Sequence, residues 1–514
     1  MSGLWPMYAL VRADFFERTR RYAYVATIAA TLLMGTLLLP AHNAGYQTFL
    51  VDNYWGIYNS AWVGASSALL AAMLLSLFGF YLVKTAVTRD RTTRVGEIIA
   101  TTPLSRFEYS LGKALSNFLV LATMAAILFV TAIAMQLLRG DSTSVNITQI
   151  GAPFALVVLP VIAVVAAVAV FFEMVPWLRG GFGNVAYFFL WTAYLGWSFQ
   201  ANLRAPWWRD LLGGNLIVGK VFSAILRIDP RARRDSIELG AVFGATARRS
   251  FEFSGFIWTA GDVAGRLMWL VVAICIVAVA ALLFDRFSKV ARSSEARRRG
   301  SAAARWSTAF ERYTAPVVDV VFASDFGTIV LAELRLLVRG LSFWWYVVAA
   351  GLWVFQLLAG AKEQSLAVGL AWIWPMLLWS QLGAREPIYG TEQLIYPVLH
   401  PIRQFIAQWF AGVVLALFVA GGALIHFAAT GNPSGIEGIV AGAIFVPTLA
   451  LTCGALSGTT RLFEIVYLIL WYLGPMNRTA LDFSQGANAP GFTAASLGLL
   501  ALAIGARKLR LRYA

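Results

Sequence analysis

Reactive residue types are sparse in this chain, and their spacing yields one motif with an immediate chemical reading. Gly214-Asn-Leu-Ile-Val-Gly219-Lys220 fits the pattern of a phosphate-binding loop, in which backbone N–H groups and a lysine cradle a nucleotide. Val221 follows where a Ser or Thr must hold magnesium, and no strand is predicted before it, so the match is read as chance. The apolar positions Leu211, Leu212, Leu216, Val218, Phe222, Ile225 and Leu226 instead predict a helix lying at a membrane interface. Cys275 and Cys453 are the only cysteines, which excludes a disulfide framework or a cysteine-rich metal site. His42, His400 and His426 lie far apart and no His-Glu-x-x-His occurs, so zinc hydrolysis has no ligand set. No catalytic residue and no cofactor is expected in the chain itself.

The solvent of the elements is the next constraint. The 514 residues are 59% hydrophobic and 13% charged, against about 25% charged in soluble proteins. The net charge is +15, but the Lys and Arg come in short clusters between apolar runs, which reads as membrane orientation and not as nucleic-acid binding. Runs of roughly 17 to 25 apolar residues predict an all-α polytopic membrane protein with about twelve transmembrane helices in two halves of six. The first six run Tyr22 to Pro40, Ala61 to Val83, Asn117 to Leu138, Gly151 to Met174, Asn184 to Gln200 and Leu267 to Phe284. The second six run Ser342 to Gly360, Leu366 to Leu382, Ile406 to Ala428, Ile439 to Leu456, Phe463 to Pro475 and Phe492 to Gly505. Residues 1–285 form the first half, with a long external loop at 201–265; 286–325 is a basic cytoplasmic linker; 326–514 is the second half. The Lys/Arg bias puts both termini in the cytoplasm. The run after Arg20-Arg21 is too long for a signal sequence and no small-x-small site follows it, so it is read as a retained span in a plasma (bacterial inner) membrane.

Each half opens on a stretch with helical amphipathic spacing. Leu4, Tyr8, Val11 and Phe15 define the apolar face of the first, with Arg12, Asp14, Glu17 and Arg18 offset; 326–340, with Glu333, Arg335 and Arg339, repeats it. Such helices lie flat in the interface.

The segment from Lys84 to Lys113 is larger and more mixed than a connector needs. Ser105 is placed as an N-cap with Glu108 three residues on as its capping-box partner, which predicts two short helices joined at Thr101 to Ser105. Arg91, Arg94, Glu97, Arg106 and Glu108 supply charge of both signs for a complementary groove. Superposing Glu97 on Glu392 places Leu104 on Leu399 and makes 390–403 the counterpart in the second half, ending at Arg403.

The phrase Glu97-Ile-Ile-Ala-Thr-Thr102-Pro103-Leu104-Ser105-Arg106-Phe-Glu108-Tyr-Ser-Leu-Gly-Lys113 resembles the loop between spans two and three of ABC-2 type exporter permeases. The resemblance covers nearly all of the first half. It implies an elbow helix before the first span, a coupling helix in this loop, and a separate ABC ATPase subunit, two copies per transporter, that holds ATP and Mg. Arg91, Arg94, Glu97, Thr102, Pro103, Leu104, Ser105, Arg106, Glu108 and Lys113, with Glu392, Leu399 and Arg403 in the second half, are the positions it implies for coupling. Pro401 replaces Arg106 and Gln408 replaces Lys113 in the second half, so the two halves need not dock alike.

The rival reading is an ion-coupled secondary transporter of the major facilitator type, which shares the six-plus-six layout. Asp90-Arg91-Thr92-Thr93-Arg94 echoes its loop motif, but Ala86 and Thr93 stand where that motif needs glycine. Every charged residue can be placed in a loop or at a span end, with Glu173 and Glu464 nearest to a span interior, whereas ion coupling leaves ionisable groups inside the bilayer. Asn117, Gln136, Gln356 and Gln381 are assigned to helix packing, as are Gly64, Ala65, Gly412 and Gly421. The expected cargo is therefore a hydrophobic or amphipathic substrate.

Overall fold

A computed structural model describes residues 4–20, 22–41, 46–52, 54–199, 207–232, 237–243, 249–284, 324–339, 341, 343–360, 363–391, 401–476 and 481–513. The described residues are 78% helical, and the chain divides into two compact units, Met1–Ser288 and Lys289–Ala514. Among the described residues seven helices are long and apolar enough to cross a membrane, and three shorter apolar helices accompany them. That is the construction a helical polytopic membrane protein requires, because only a helix satisfies its own backbone in lipid. The expected linker lies almost entirely outside the described residues.

In the first unit, α1 (Leu4–Thr19) and α2 (Tyr22–Leu38) precede two short strands, β1 (Tyr46–Val51) and β2 (Tyr54–Gly56). The buried helix α3 (Ser60–Val83) starts at Asn59, whose side chain accepts from the Trp62 N–H, and leads into α4 (Ala86–Thr92) and α5 (Val95–Ala100). The 34-residue α6 (Arg106–Arg139) follows, then α7 (Ile147–Pro153) and α8 (Leu159–Met174). A π turn, Phe154–Val158, joins α7 to α8 between Pro153 and Pro160; prolines remove N–H donors, and a wider turn lets the helix continue through them. The unit closes with α9 (Gly181–Phe199), α10 (Gly214–Ile228), β3 (Ile237–Phe243), β4 (Arg249–Phe251) and α11 (Ala260–Leu283). The false phosphate loop is therefore a helix, and Lys220 pairs with the Asp262 carboxylate at 2.6 Å.

The strands form a small sheet in the order β3-β1-β2-β4, which the all-helical expectation did not include. Strands β1 and β2 sit in a connection between two apolar helices, where no hydrophobic period marks them off. Packing makes them: Trp62 of α3 stacks on Phe49 at 4.9 Å between ring centroids and meets Phe251 edge-on at 5.6 Å. Gly56 is obligatory there, since a Cβ would stand 2.2 Å from the Trp62 ring.

The second unit contains α12 (Asp325–Val338), α13 (Phe343–Leu358), α14 (Gln364–Ile373), α15 (Met376–Trp379), α16 (Arg385–Tyr389), α17 (Pro401–Val419), α18 (Gly421–Ala429), α19 (Pro433–Ser457), α20 (Arg461–Trp471) and α21 (Ala489–Tyr513). Two expected spans are broken. Pro375 interrupts the run from Leu366 to Leu382, and the run from Ile406 to Ala428 breaks at Ala420. Small residues permit close crossings: a Cβ on Gly64 would meet the Gln149 carbonyl at 2.5 Å, and one on Gly412 would meet Leu382 at 2.8 Å. The span amides also serve packing, with Gln136 donating to Ser60 and Gln356 donating to the Val419 carbonyl.

Replacing Gly56 by Ala should destabilise the chain by about 1–3 kcal/mol through overpacking. Gly180→Ala, where nothing lies within 4 Å of the new carbon, should stay within about 0.5 kcal/mol. Thermal melting of the purified chain distinguishes the two; equal melting points would reject the packing role of Gly56.

Candidate functional site

The loop singled out by sequence sits on a largely buried ionic cluster, of which Glu17 is the exposed member. Three acids, Asp14, Glu17 and Asp90, and three bases, Arg18, Arg89 and Lys113, tie α1, α4 and α6 together. Asp14 Oδ1 accepts from Arg89 Nη2 and Lys113 Nζ, both at 3.1 Å. Its Oδ2 accepts from Arg18 Nη2 at 2.8 Å and Ser116 Oγ at 2.6 Å. Lys113 Nζ also lies 2.8 Å from Asp90 Oδ2, which accepts from the Tyr109 hydroxyl at 2.7 Å. Arg89 bridges to Glu17, and Arg18 donates to Asn117 Oδ1 at 2.8 Å. Asp14 is 4% exposed and Lys113 is 1% exposed, so these charges are tolerable only because each is paired. Burial pushes the Asp14 carboxyl up, but Lys113, Arg18 and the donated hydrogen bonds outweigh it and hold the group below the ordinary aspartate value.

The cluster also bears on what was expected of α1 and of Lys113. On α1, Met7 and Leu10 lie over Gly112 and Asp14 follows them one turn on, while Tyr8 of the expected apolar face is 55% exposed. The protein-facing stripe of the helix thus includes Met7, Leu10 and Asp14. Lys113, expected among the docking residues, is sealed inside the cluster and cannot touch a partner. Asp14, Asp90, Lys113, Glu173 and Glu464 are all buried, so a place in a loop or at a span end does not here mean contact with solvent.

A second set of contacts fixes the loop to the rest of the unit. Glu173, at the end of α8, accepts from the Val87 and Thr88 N–H groups at 2.8 and 2.6 Å, so it caps α4 from another helix. Lys84 donates to Asn184 Oδ1 at 2.7 Å, which fastens the same segment to α9. The predicted capping box is present: Glu108 N–H donates to Ser105 Oγ at 3.1 Å and Ser105 N–H donates to Glu108 Oε2 at 2.8 Å. The capped helix is the full length of α6 and not a short one. Leu104 is buried beneath the turn, where it lines a small hollow with Ile99, Tyr109 and Phe284. Phe284 stacks on Tyr109 at 4.9 Å and so seats the end of α11 on the start of α6.

Above this base the loop presents Arg94 and Glu97 of α5, Pro103 and Ser105 of the turn, and Arg106, all exposed. Arg91 is half-buried on α4, and Thr102 is half-buried, donating to the Ile99 carbonyl. Arg94 has φ of +59°, a left-handed conformation rare for a non-glycine residue and one that turns α4 sharply into α5. Charge-led reading missed the apolar part of this surface: Val95 (43% exposed), Ile98 (68%) and Phe107 (40%) stand among those charges. The signal was present as helical positions without a partner face, i and i+3 on α5.

In the second unit Glu392 and Leu399 lie outside the described residues, and Arg403 is half-exposed in the first turn of α17. The described residues of this unit contain a parallel arrangement. Glu333 of α12 accepts from Arg385 Nη1 at 2.7 Å and Gln404 Nε2 at 3.2 Å. Glu386 accepts from Gln408 Nε2 at 2.7 Å and lies 3.7 Å from Arg507 of α21, whose guanidinium rests 5.3 Å from the Phe405 ring. The Glu386–Arg507 contact enlists the last helix, a partner without a parallel in the ion pairs at Asp14.

No protein-family model matches the chain, and no curated protein matches it in sequence.

Asp14→Asn should cost about 3–5 kcal/mol, the range for removing one partner of a buried ion pair. The folded pKa of Asp14 is depressed, so its contribution is complete above the ordinary aspartate value of 3.8 and fades as pH falls through the lower folded value. Melting followed from pH 7 to pH 3 should thus lose stability at the acid end in the parent more than in Asp14→Asn; parallel curves would remove Asp14 from its central place.

Proposed function

We propose that this chain is the membrane subunit of an ATP-driven exporter of the ABC-2 type, built from two six-span halves that each begin with an elbow helix. The supporting observation is the loop surface of Val95, Ile98 and Phe107 ringed by Arg94, Glu97 and Arg106. Exposed apolar side chains among charges suit a protein interface, where burying each would yield about 1.5–3 kcal/mol. The partner that fits is a separate ABC ATPase subunit, two copies per transporter, with ATP and Mg bound on it. The ionic cluster below makes the surface stiff enough to pass a displacement from that partner into α3, α6 and α8.

In this reading both termini and the loop face the cytoplasm, the sheet and α10 face outward, and the protein resides in the plasma (bacterial inner) membrane. The cargo is hydrophobic or amphipathic. The buried acids bear on the ion-coupled alternative, but Asp14 and Asp90 are held by bases and Glu173 by backbone N–H groups. A coupling ion needs a carboxylate that can change partners, whereas each of these already holds donors that tie helices together.

The test is co-purification of the chain with the ATP-binding-cassette protein encoded nearest to it. Ile98→Asp, and separately Glu97→Lys with Arg106→Glu, should each reduce recovery of the ATPase about tenfold or more and lower transport-linked ATP hydrolysis, with an unchanged melting point. Full retention of the ATPase by both variants, or transport driven by a proton gradient in vesicles lacking any ATPase, would overturn the assignment.

A further inference from the structure

Glu437 differs from the buried acids of the chain. It stands in the second turn of α19, a helix apolar and long enough to cross a membrane, and it has no hydrogen-bond or ion-pair partner among the described residues. Glu437 is exposed just ahead of the apolar run that begins at Ile439, the level at which lipid head groups meet a spanning helix, and a carboxylate without a partner there attracts a cation. The surface beside it is concave. Glu437, Val440 and Ile444 of α19 face Pro490, Ala494 and Leu497 of α21 across a groove of about 800 Å³.

The shape and charge of this groove select its occupant. Positions 437, 440 and 444 fall on one helical stripe, so the wall runs about 10 Å along α19 at 1.5 Å per residue. Its apolar lining carries one charge, negative and at one end. A transmembrane helix packed into the groove would strip water from Glu437 and return no cation. A lipid with an ammonium-bearing head supplies both requirements, since its chain covers Val440, Ile444 and Leu497 while the head reaches the carboxylate. An anionic head would be repelled by the same group. The small side chain of Ala494 leaves the space that the chain needs.

We propose that the groove between α19 and α21 is a lipid-binding site selective for a phospholipid with an ammonium head group, and that Glu437 receives the ammonium. This rests on α19 and α21 lying in a membrane and is independent of the ATPase reading.

The full chain, delipidated in mild detergent, can be titrated with short-chain phosphatidylethanolamine and phosphatidylglycerol while bound lipid is counted by native mass spectrometry. Phosphatidylethanolamine should bind at least tenfold more tightly than phosphatidylglycerol. Glu437→Gln should erase that preference, Glu437→Asp should keep most of it, and Ala494→Phe should block the tight site by filling it. If Ala494→Phe does not yield a monodisperse protein, Leu497→Trp provides the same block. Equal binding of the two lipids by the parent chain, or a preference that survives both Glu437→Gln and the filled groove, would overturn the proposal. So would efficient cross-linking of Ala494→Cys between two copies in native membranes, which would mean that a helix covers the groove. None of these readouts involves nucleotide, so failure here leaves the ATPase assignment standing, and the reverse.

Discussion

Four donors on three separate helices converge on one carboxylate, Asp14, and the charged end of the first unit is organised around that convergence. The arrangement is demanding. A buried ion that loses a partner costs several kcal/mol, so α1, α4 and α6 must keep their spacing to within a hydrogen-bond length. Three acids and three bases make the cluster neutral, and a neutral cluster can be buried where an isolated charge cannot. The price of that burial is recovered as rigidity: a loop between two long helices, ordinarily a mobile element, becomes a platform.

The second unit reaches a related result with different chemistry. An acid on the opening helix again takes an arginine from the short helix that follows the second apolar segment, Glu333 with Arg385 where the first unit has Asp14 with Arg89. The third long helix contributes amides, Gln404 and Gln408, in place of Lys113. Amides need no counter-ion, which leaves Glu386 to be balanced by Arg507 from the final helix. The end of the last long helix rests on the start of the third in both units, through Phe284 on Tyr109 and through Arg507 on Phe405. The first contact is a neutral aromatic stack and the second sets a guanidinium on a ring, so the two platforms rest on different interactions.

The sequence disclosed features governed by local rules and concealed those governed by pairing at a distance. Ser105 and Glu108 are three residues apart, and their reciprocal cap follows from that spacing alone. The apolar runs were equally legible, since hydropathy is a property of a window. Lys113 was not, because its role is set by Asp14 and Asp90, one of them 99 residues away. The protein-facing stripe of α1 was not legible, because its most buried member is an aspartate. The sheet escaped because its strands are short and are stabilised by a tryptophan on a helix. Gly64 and Gly412 were read correctly, since a small residue in an apolar helix has few other uses.

The cap that Glu173 places on α4 has a mechanical meaning. Helix α8 is about 24 Å long at 1.5 Å per residue, and it is jointed to α7 at the π turn between Pro153 and Pro160. A swing of about 5° at that joint carries the Glu173 end roughly 2 Å, given the helix length. Because two N–H groups of α4 are attached to that end, the loop must travel with it. A rotation at that joint would make α8 a lever arm and the carboxylate its linkage, and would arrive at the surface as a translation.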